Sequence, residues 1–133
     1  MKISRDLSDL QPGIREKCVQ LKADCEAAGI DILITCTLRD AAAQEWLYAS
    51  GRTRKGKILT NARSGKSKHE FGLAFDFCVM TAGKCDWNNS EAFAKVGAMG
   101  EAIGLTWAGR WRGSLRELGH FEIDYPKTKK KEG

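Results

Sequence analysis

Long apolar segments are missing from this chain of 133 residues. No stretch approaches the roughly 20 apolar residues that a membrane-spanning helix needs, so we expect no insertion into a membrane. The first residues, Met1 to Asp6, also lack the apolar stretch of a secretory signal, which predicts a protein that is first held in the cytoplasm. The sequence contains no internal repeat, and its length suits one compact domain, which we place at residues 1–126.

Close cysteine pairs are absent and histidines are scarce. The chain has five cysteines, Cys18, Cys25, Cys36, Cys78 and Cys85. Their odd number argues against a disulfide scaffold, and the absence of a C-x-x-C pair argues against a zinc ribbon, so we expect buried, reduced thiols. Only two histidines are present, His69 and His120, and any chemistry that needs imidazole depends on them.

The apolar periodicity predicts a mixture of helices and strands. Three helices are expected, over residues 8–28, 41–50 and 90–103. Four strands are expected, over residues 30–37, 72–79, 105–107 and 120–125. Asp40 and Asn88 have the positions of helix caps, and the first two strands are apolar enough to be largely buried. The expected class is α+β, with a small, mainly antiparallel sheet packed against helices.

Positive charge is in excess, with a formal net charge of +5. Residues 52–68 hold seven Lys and Arg residues and no acid, which indicates a polar loop, and residues 127–133 form a basic tail that we expect to be disordered. A basic protein suits an anionic partner, such as nucleic acid, a membrane surface or a cell-wall polymer. Because no aromatic residues alternate with the basic residues of the loop, we expect no specific binding of nucleic acid.

The second apolar strand contains one acidic residue, Asp76, among its apolar residues. Asp76 lies between Phe75 and Phe77, and burying a carboxylate without a partner is very costly. Both faces of this strand are apolar, so the period of the strand does not bring the carboxylate to solvent. His69 lies just upstream, across a bend at Gly72, and is the partner that the sequence offers.

The second histidine also has a carboxylate nearby. Glu117 precedes His120 by three residues, and a turn at Gly119 can fold it towards the same site. Two histidines and one carboxylate make a common catalytic zinc set with a fourth position open for water, and a nearby carboxylate such as Glu117 can take the proton of that water. The spacing alone leaves a purely structural role equally open, because no H-E-x-x-H motif is present.

The order and spacing of these residues resemble the D-Ala-D-Ala carboxypeptidase/Hedgehog-type zinc peptidases. Two motifs carry the resemblance, Ser67-x-His69-x-x-Gly72-x-Ala74-x-Asp76 and Glu117-x-x-His120. Within the family, the chain resembles the small phage endolysins that are L-alanyl-D-glutamate peptidases, over about residues 5–125. The resemblance implies a Hedgehog/DD-peptidase-like fold and one zinc ion held by His69, Asp76 and His120. Manganese or cobalt would fit the same ligands.

The resemblance also implies roles for residues around the metal. Glu117 would be the general base, and Arg39 would polarise the scissile carbonyl, which a fixed guanidinium can do. Ser67, Gln44 and Trp111 would contact the substrate. The residues alone leave a surface role for Arg39 and a packing role for Trp111 equally open.

The predicted function is hydrolysis of an amide bond in the peptidoglycan stem peptide, L-Ala–D-Glu, by a monomeric phage endolysin. Such an enzyme waits in the host cytoplasm and acts on the bacterial wall once the membrane is permeabilised. Two alternatives keep the metal site: a D-Ala-D-Ala carboxypeptidase or dipeptidase, and a non-catalytic binding module stabilised by zinc. A third alternative is a nucleic-acid binder built on residues 52–68.

Overall fold

The computed structural model describes residues 1–125, so the predicted tail at 127–133 lies outside the described residues. The helices are α1 (Pro12–Ala27), α2 (Ala41–Ala49) and α3 (Ser90–Ala102). The strands are β1 (Ile32–Cys36), β2 (Ala74–Thr81), β3 (Lys84–Cys85), β4 (Thr106–Trp107) and β5 (His120–Glu122). The expected α+β class is confirmed. Among residues 1–125, none of the helices is both long and apolar enough to cross a membrane.

All five strands pair in the antiparallel sense, in the order β1-β2-β5-β4, with β3 paired to the end of β2. The apolar sequence of β2 is explained by its central position, with neighbours on both sides. The strand β1 lies at an edge, and Leu33 is 38% exposed there. The expectation that the first strand is largely buried is therefore wrong for its outer residues.

The helices α1 and α3 share one apolar core with the sheet. Ile14 and Leu21 of α1 and Phe93 of α3 are wholly buried. The ring of Phe77 on β2 lies 5.4 Å from that of Phe93 and stacks at 5.3 Å on that of Phe121. The aromatic rings thus join the central strands to α3, which fixes the sheet that carries the site described below.

The helix ends differ slightly from the predicted ones. A short 3-10 turn precedes α1, which begins only at Pro12, a residue suited to the first helical turn. Asp40 caps α2 as predicted, accepting from the backbone N–H of Ala43. The cap of α3 is Asn89 rather than Asn88, one residue later than predicted, and its side chain accepts from the N–H of Ala92.

One expectation about the cysteines is wrong, because Cys78 and Cys85 form a disulfide. The hairpin between β2 and β3 turns through Ala82 and Gly83, both with positive φ, and brings the two Cα atoms to 5.7 Å. Two positive φ values are typical of the tight turns that join adjacent strands. The other three cysteines are buried free thiols, as expected.

Candidate metal centre

The register of the sheet places Cys36, Asp76 and His120 side by side. Asp76 on β2 pairs with Cys36 of β1 on one side and with His120 of β5 on the other. Residues directly opposite one another in an antiparallel pair have their Cβ atoms about 5 Å apart on the same face. The carboxylate and the second histidine, 44 residues apart in sequence, are therefore neighbours because of strand pairing alone.

The first histidine reaches the same place from a single 3-10 turn, Lys68–Phe71. Ser67 caps this turn, and its side chain and that of Glu70 form a reciprocal capping box. Gly72 ends the turn at a φ of +68°, and a Cβ there would lie 2.9 Å from the carbonyl oxygen of Asp9. The predicted bend at Gly72 is present, and it directs His69 back over the start of β2.

Both histidines converge on one oxygen of Asp76. His69 Nε2 lies 3.0 Å and His120 Nδ1 lies 2.8 Å from Asp76 Oδ1. Arg39 Nη2 donates to Asp76 Oδ2 at 3.2 Å, so the carboxylate has three cationic or polar partners. Both histidines are buried, whereas the Asp76 side chain is 21% exposed. The expectation that Asp76 needs a partner, and that His69 supplies one, is confirmed.

The outer nitrogens of the two rings are also bonded to oxygen atoms. His69 Nδ1 donates to the backbone carbonyl of Thr37 at 3.0 Å, and His120 Nε2 donates to Glu122 Oε1 at 2.9 Å. Histidines that bind metals commonly donate the other ring N–H to a carbonyl or carboxylate, which leaves the inner nitrogen free as a ligand. The donor set therefore fits one divalent ion, which would replace the two inner protons.

The metal-capable atoms of residues 1–125 form two compact groups that share Asp76. One group is Cys36, His69 and Asp76, and the other is Asp76, Glu117 and His120. Within each group the atoms lie within 4.8 Å of one another. The expected ligands His69 and His120 both contact Asp76, but the three residues do not form a single group within 4.8 Å. Asp76 is the residue that the two groups share.

The charges of the cluster depend strongly on one another. Burial disfavours charge on the rings, but the Asp76 carboxylate outweighs it and raises the pKa of His69 to about 10 and that of His120 to about 9. Burial also opposes the charge of Asp76, yet the two imidazoles hold its pKa well below the usual range. Without a metal, the two histidines are cations around an ionised carboxylate.

The predicted general base, Glu117, has a carboxylate oxygen within 4.8 Å of ligand atoms of Asp76 and His120. It lines the same cleft as both histidines, in the turn that leads to β5. Although the side chain is accessible to solvent, the surrounding cleft walls limit its hydration and raise its pKa; the charge of His120 opposes this shift, and that of Asp76 adds to it. Gly119 allows the close turn, because a Cβ there would lie 2.4 Å from the carbonyl oxygen of Phe77.

The histidines open into a cleft of about 330 Å³. Part of the basic loop, residues 59–62 and 66–68, forms one wall, so this segment shapes the site. Ser67 lies in the same wall, and the ring of Trp111 lies 5.7 Å from that of His120 across the cleft. Trp111 is therefore placed where it can meet a substrate, whereas Ser67 is buried in the cleft wall and its hydroxyl accepts from the backbone N–H of His69.

Arg39 lines the cleft, whereas Gln44 lies behind it. The side chain of Gln44 is wholly buried; its oxygen accepts from Arg39 Nη1 at 3.2 Å, and its nitrogen donates to the carbonyl of Ala62 at 2.7 Å. All of its polar groups are thus used within the protein. The structure places Gln44 as a support for Arg39 and for the cleft wall rather than as a surface that a substrate can touch.

The polar residues that contact the outer side of the histidines were not predicted from the sequence. Glu122 accepts from His120, and Lys68 Nζ lies 3.0 Å from Glu122 Oε2. The signal for Glu122 was its position, two residues after His120 on a strand, where side chains share a face. Cys36 gave no such signal, and its Sγ lies 3.8 Å from His69 Nδ1.

A partly buried carboxylate flanked by two histidines, with a second carboxylate in the same cleft, fits the donor set of a mononuclear metal hydrolase. The model of the VanY family, D-alanyl-D-alanine carboxypeptidase, matches residues 7–133. The chain therefore belongs to the VanY family of D-alanyl-D-alanine carboxypeptidases, which confirms the family expected from the two motifs.

Individual relatives are similar over most of the chain. The peptidoglycan L-alanyl-D-glutamate endopeptidase CwlK of Bacillus subtilis (strain 168) is 34% identical over 125 residues, which cover 87% of this chain and 74% of CwlK. The L-Ala D-Glu endopeptidase ChiX of Serratia marcescens superposes with a TM-score of 0.68 at 19% identity, covering 89% of this chain and 83% of ChiX. The vancomycin resistance D,D-pentapeptidase VanY, solved in complex with Zn(II), gives 0.66 at 14% identity, covering 92% and 78%.

Proposed function

We propose that the protein is a zinc peptidase that hydrolyses the L-Ala–D-Glu bond of the peptidoglycan stem peptide. The observation that carries the proposal is the convergence of His69 and His120 on Asp76, beside Glu117 in one cleft. The choice of bond is supported by the 34% identity with CwlK, a peptidoglycan L-alanyl-D-glutamate endopeptidase.

Each of the cleft residues has a separate role in the proposed amide hydrolysis. A zinc ion held by His69, Asp76 and His120 would supply the Lewis acidity that activates water and polarises a carbonyl. Glu117 accepts the proton of the attacking water and then passes a proton to the leaving amine. Its raised pKa favours the first step, because a more basic carboxylate takes the proton of the attacking water more readily.

Arg39 stabilises the charge that develops on the substrate oxygen. Its guanidinium is held by Asp76 at 3.2 Å and by Gln44 at 3.2 Å while it lines the cleft. A donor that is fixed before the reaction does not have to be reorganised during it, which is the main advantage of such groups over water. Trp111 supplies an apolar wall beside His120, and Ser67 a polar one.

The proposal is tested by amine release from purified peptidoglycan. Wild type should release amine and lower the turbidity of a wall suspension, and Glu117→Ala should abolish both. Glu16→Ala, which removes an exposed glutamate of α1 outside the cleft, is the matched control and should behave as wild type. Equal rates for wild type and Glu117→Ala contradict the mechanism, and stoichiometric zinc without hydrolysis would indicate a binding module.

A second candidate keeps the site and changes the bond to D-Ala–D-Ala. Membership of the D-alanyl-D-alanine carboxypeptidase family favours it. Mass spectrometry of digested muropeptides separates the two activities. New amino termini at D-Glu support the endopeptidase, whereas loss of the terminal D-Ala alone supports the carboxypeptidase.

We further propose that the enzyme is a monomeric phage endolysin held in the host cytoplasm. The support is the resemblance of its two motifs to endolysins of this type. Bacteria that express the protein should then lyse only when the membrane is permeabilised. Lysis without permeabilisation contradicts this part of the proposal and leaves the chemistry unaffected.

A further inference from the structure

Beside the second histidine, and lining the same cleft, lies an ion pair that the proposed mechanism does not use. Glu122 follows His120 by two residues on β5, and its Oε1 accepts from His120 Nε2 at 2.9 Å. Its other oxygen, Oε2, lies 3.0 Å from Lys68 Nζ. Both side chains are mostly buried, with 17% of Lys68 and 16% of Glu122 exposed, so the pair is shielded from the solvent that weakens surface ion pairs.

We propose that Glu122 is a positioning residue that holds the His120 ring with Nδ1 towards the metal, and that Lys68 holds Glu122 in place. The inference rests on the metal site of the proposed function. An imidazole can carry its proton on either nitrogen, and the nitrogen that donates a hydrogen bond determines which one is left for a metal. An acceptor fixed at Nε2 keeps the proton there and leaves Nδ1 free to bind.

The two histidines differ in how this is achieved. The outer nitrogen of His69 bonds to the main-chain carbonyl of Thr37, which no substitution removes. The outer nitrogen of His120 bonds to a side chain, so its orientation depends on one replaceable residue. A carboxylate behind a metal-binding histidine also makes the ring a better donor to the metal.

Lys68 connects this arrangement to the other motif. It is the residue before His69, so its contact with Glu122 joins the turn that carries the first histidine to the strand that carries the second. The ion pair thus fixes the separation of the two histidine-bearing segments. Asp124 also lies near Lys68, at 3.5 Å, but its side chain is fully exposed.

The test is the dissociation constant for zinc, measured by competition with a chromophoric chelator. Glu122→Ala should weaken zinc binding by about 10–100-fold, the usual cost of losing such an outer partner. Asp124→Ala removes the other carboxylate beside Lys68 and should stay within about twofold of wild type. Glu122→Gln keeps an acceptor for Nε2–H but loses the ion pair, so its affinity should lie between those of wild type and Glu122→Ala.

A second measurement needs no variant and remains decisive if Glu122→Ala fails to fold. Long-range ¹H–¹⁵N correlation spectra of the zinc-loaded wild type should show His120 protonated at Nε2 and bound through Nδ1. Binding through Nε2, or equal zinc affinities for Glu122→Ala and Asp124→Ala, overturns the inference. If wild type binds no zinc, the proposed function itself fails, so the two failures are distinguishable.

Discussion

Zinc binding at pH 7 should release about two protons per ion. In the metal-free protein the pKa values of His69 and His120, about 10 and about 9, lie well above 7, so each ring is roughly 99% or more protonated there. A metal binds only the deprotonated nitrogen, so both inner protons must leave. Asp76 adds none, because its lowered pKa keeps it ionised.

The proton count can be measured by titration calorimetry in two buffers with different ionisation enthalpies. The difference in observed heat gives the number of protons released. The same linkage predicts that the apparent zinc affinity rises about 100-fold per pH unit between pH 6 and pH 8, since two protons compete with each ion. Release of less than half a proton would show that both rings are already neutral, and it would refute the charge assignment of the cluster.

Three further outcomes are expected. Glu117→Gln should lower kcat by about 10²–10⁴-fold, the typical contribution of a general base, with an unchanged zinc content; amine release and metal analysis check this, and an unchanged kcat contradicts it. The raised pKa values of the two histidines stabilise the metal-free protein below the unfolded value of about 6.5, and this contribution is lost as pH rises through 9–10. The thermal midpoint of the metal-free protein should therefore fall between pH 7 and pH 10, and a rising midpoint would contradict the shifts. Reducing the Cys78–Cys85 disulfide, which closes a short loop across seven positions, should cost about 2.5 kcal/mol by loop entropy. Urea unfolding with and without reductant measures this cost, and coincident transitions contradict it.

The class of fold and the central feature of the site could be predicted from the sequence. Asp76 was predictable because a carboxylate in an apolar strand needs a partner, and the structure supplies three. Strand existence followed from apolar runs, and the cap at Asp40 followed from a local rule that the structure obeys. These features depend on residues close together in the chain.

Features that depend on pairing between distant segments could not be predicted in the same way. The contact of Asp76 with His120 depends on the register of β2 and β5, and nothing local determines that register. Gln44 was expected at the substrate, yet tertiary packing buries it behind Arg39. The Cys78–Cys85 disulfide was missed because counting cysteines does not reveal a hairpin.

A crystal structure of the zinc-loaded protein, with diffraction data on both sides of the zinc absorption edge, is the most direct test of the metal site. We expect a single anomalous peak between His69, Asp76 and His120. The ligands should be Nε2 of the first ring, Nδ1 of the second and a carboxylate oxygen, each about 2.0–2.2 Å from the ion. A peak elsewhere, or none in a protein that had been supplied with zinc, would contradict the assignment of these three residues as the metal ligands.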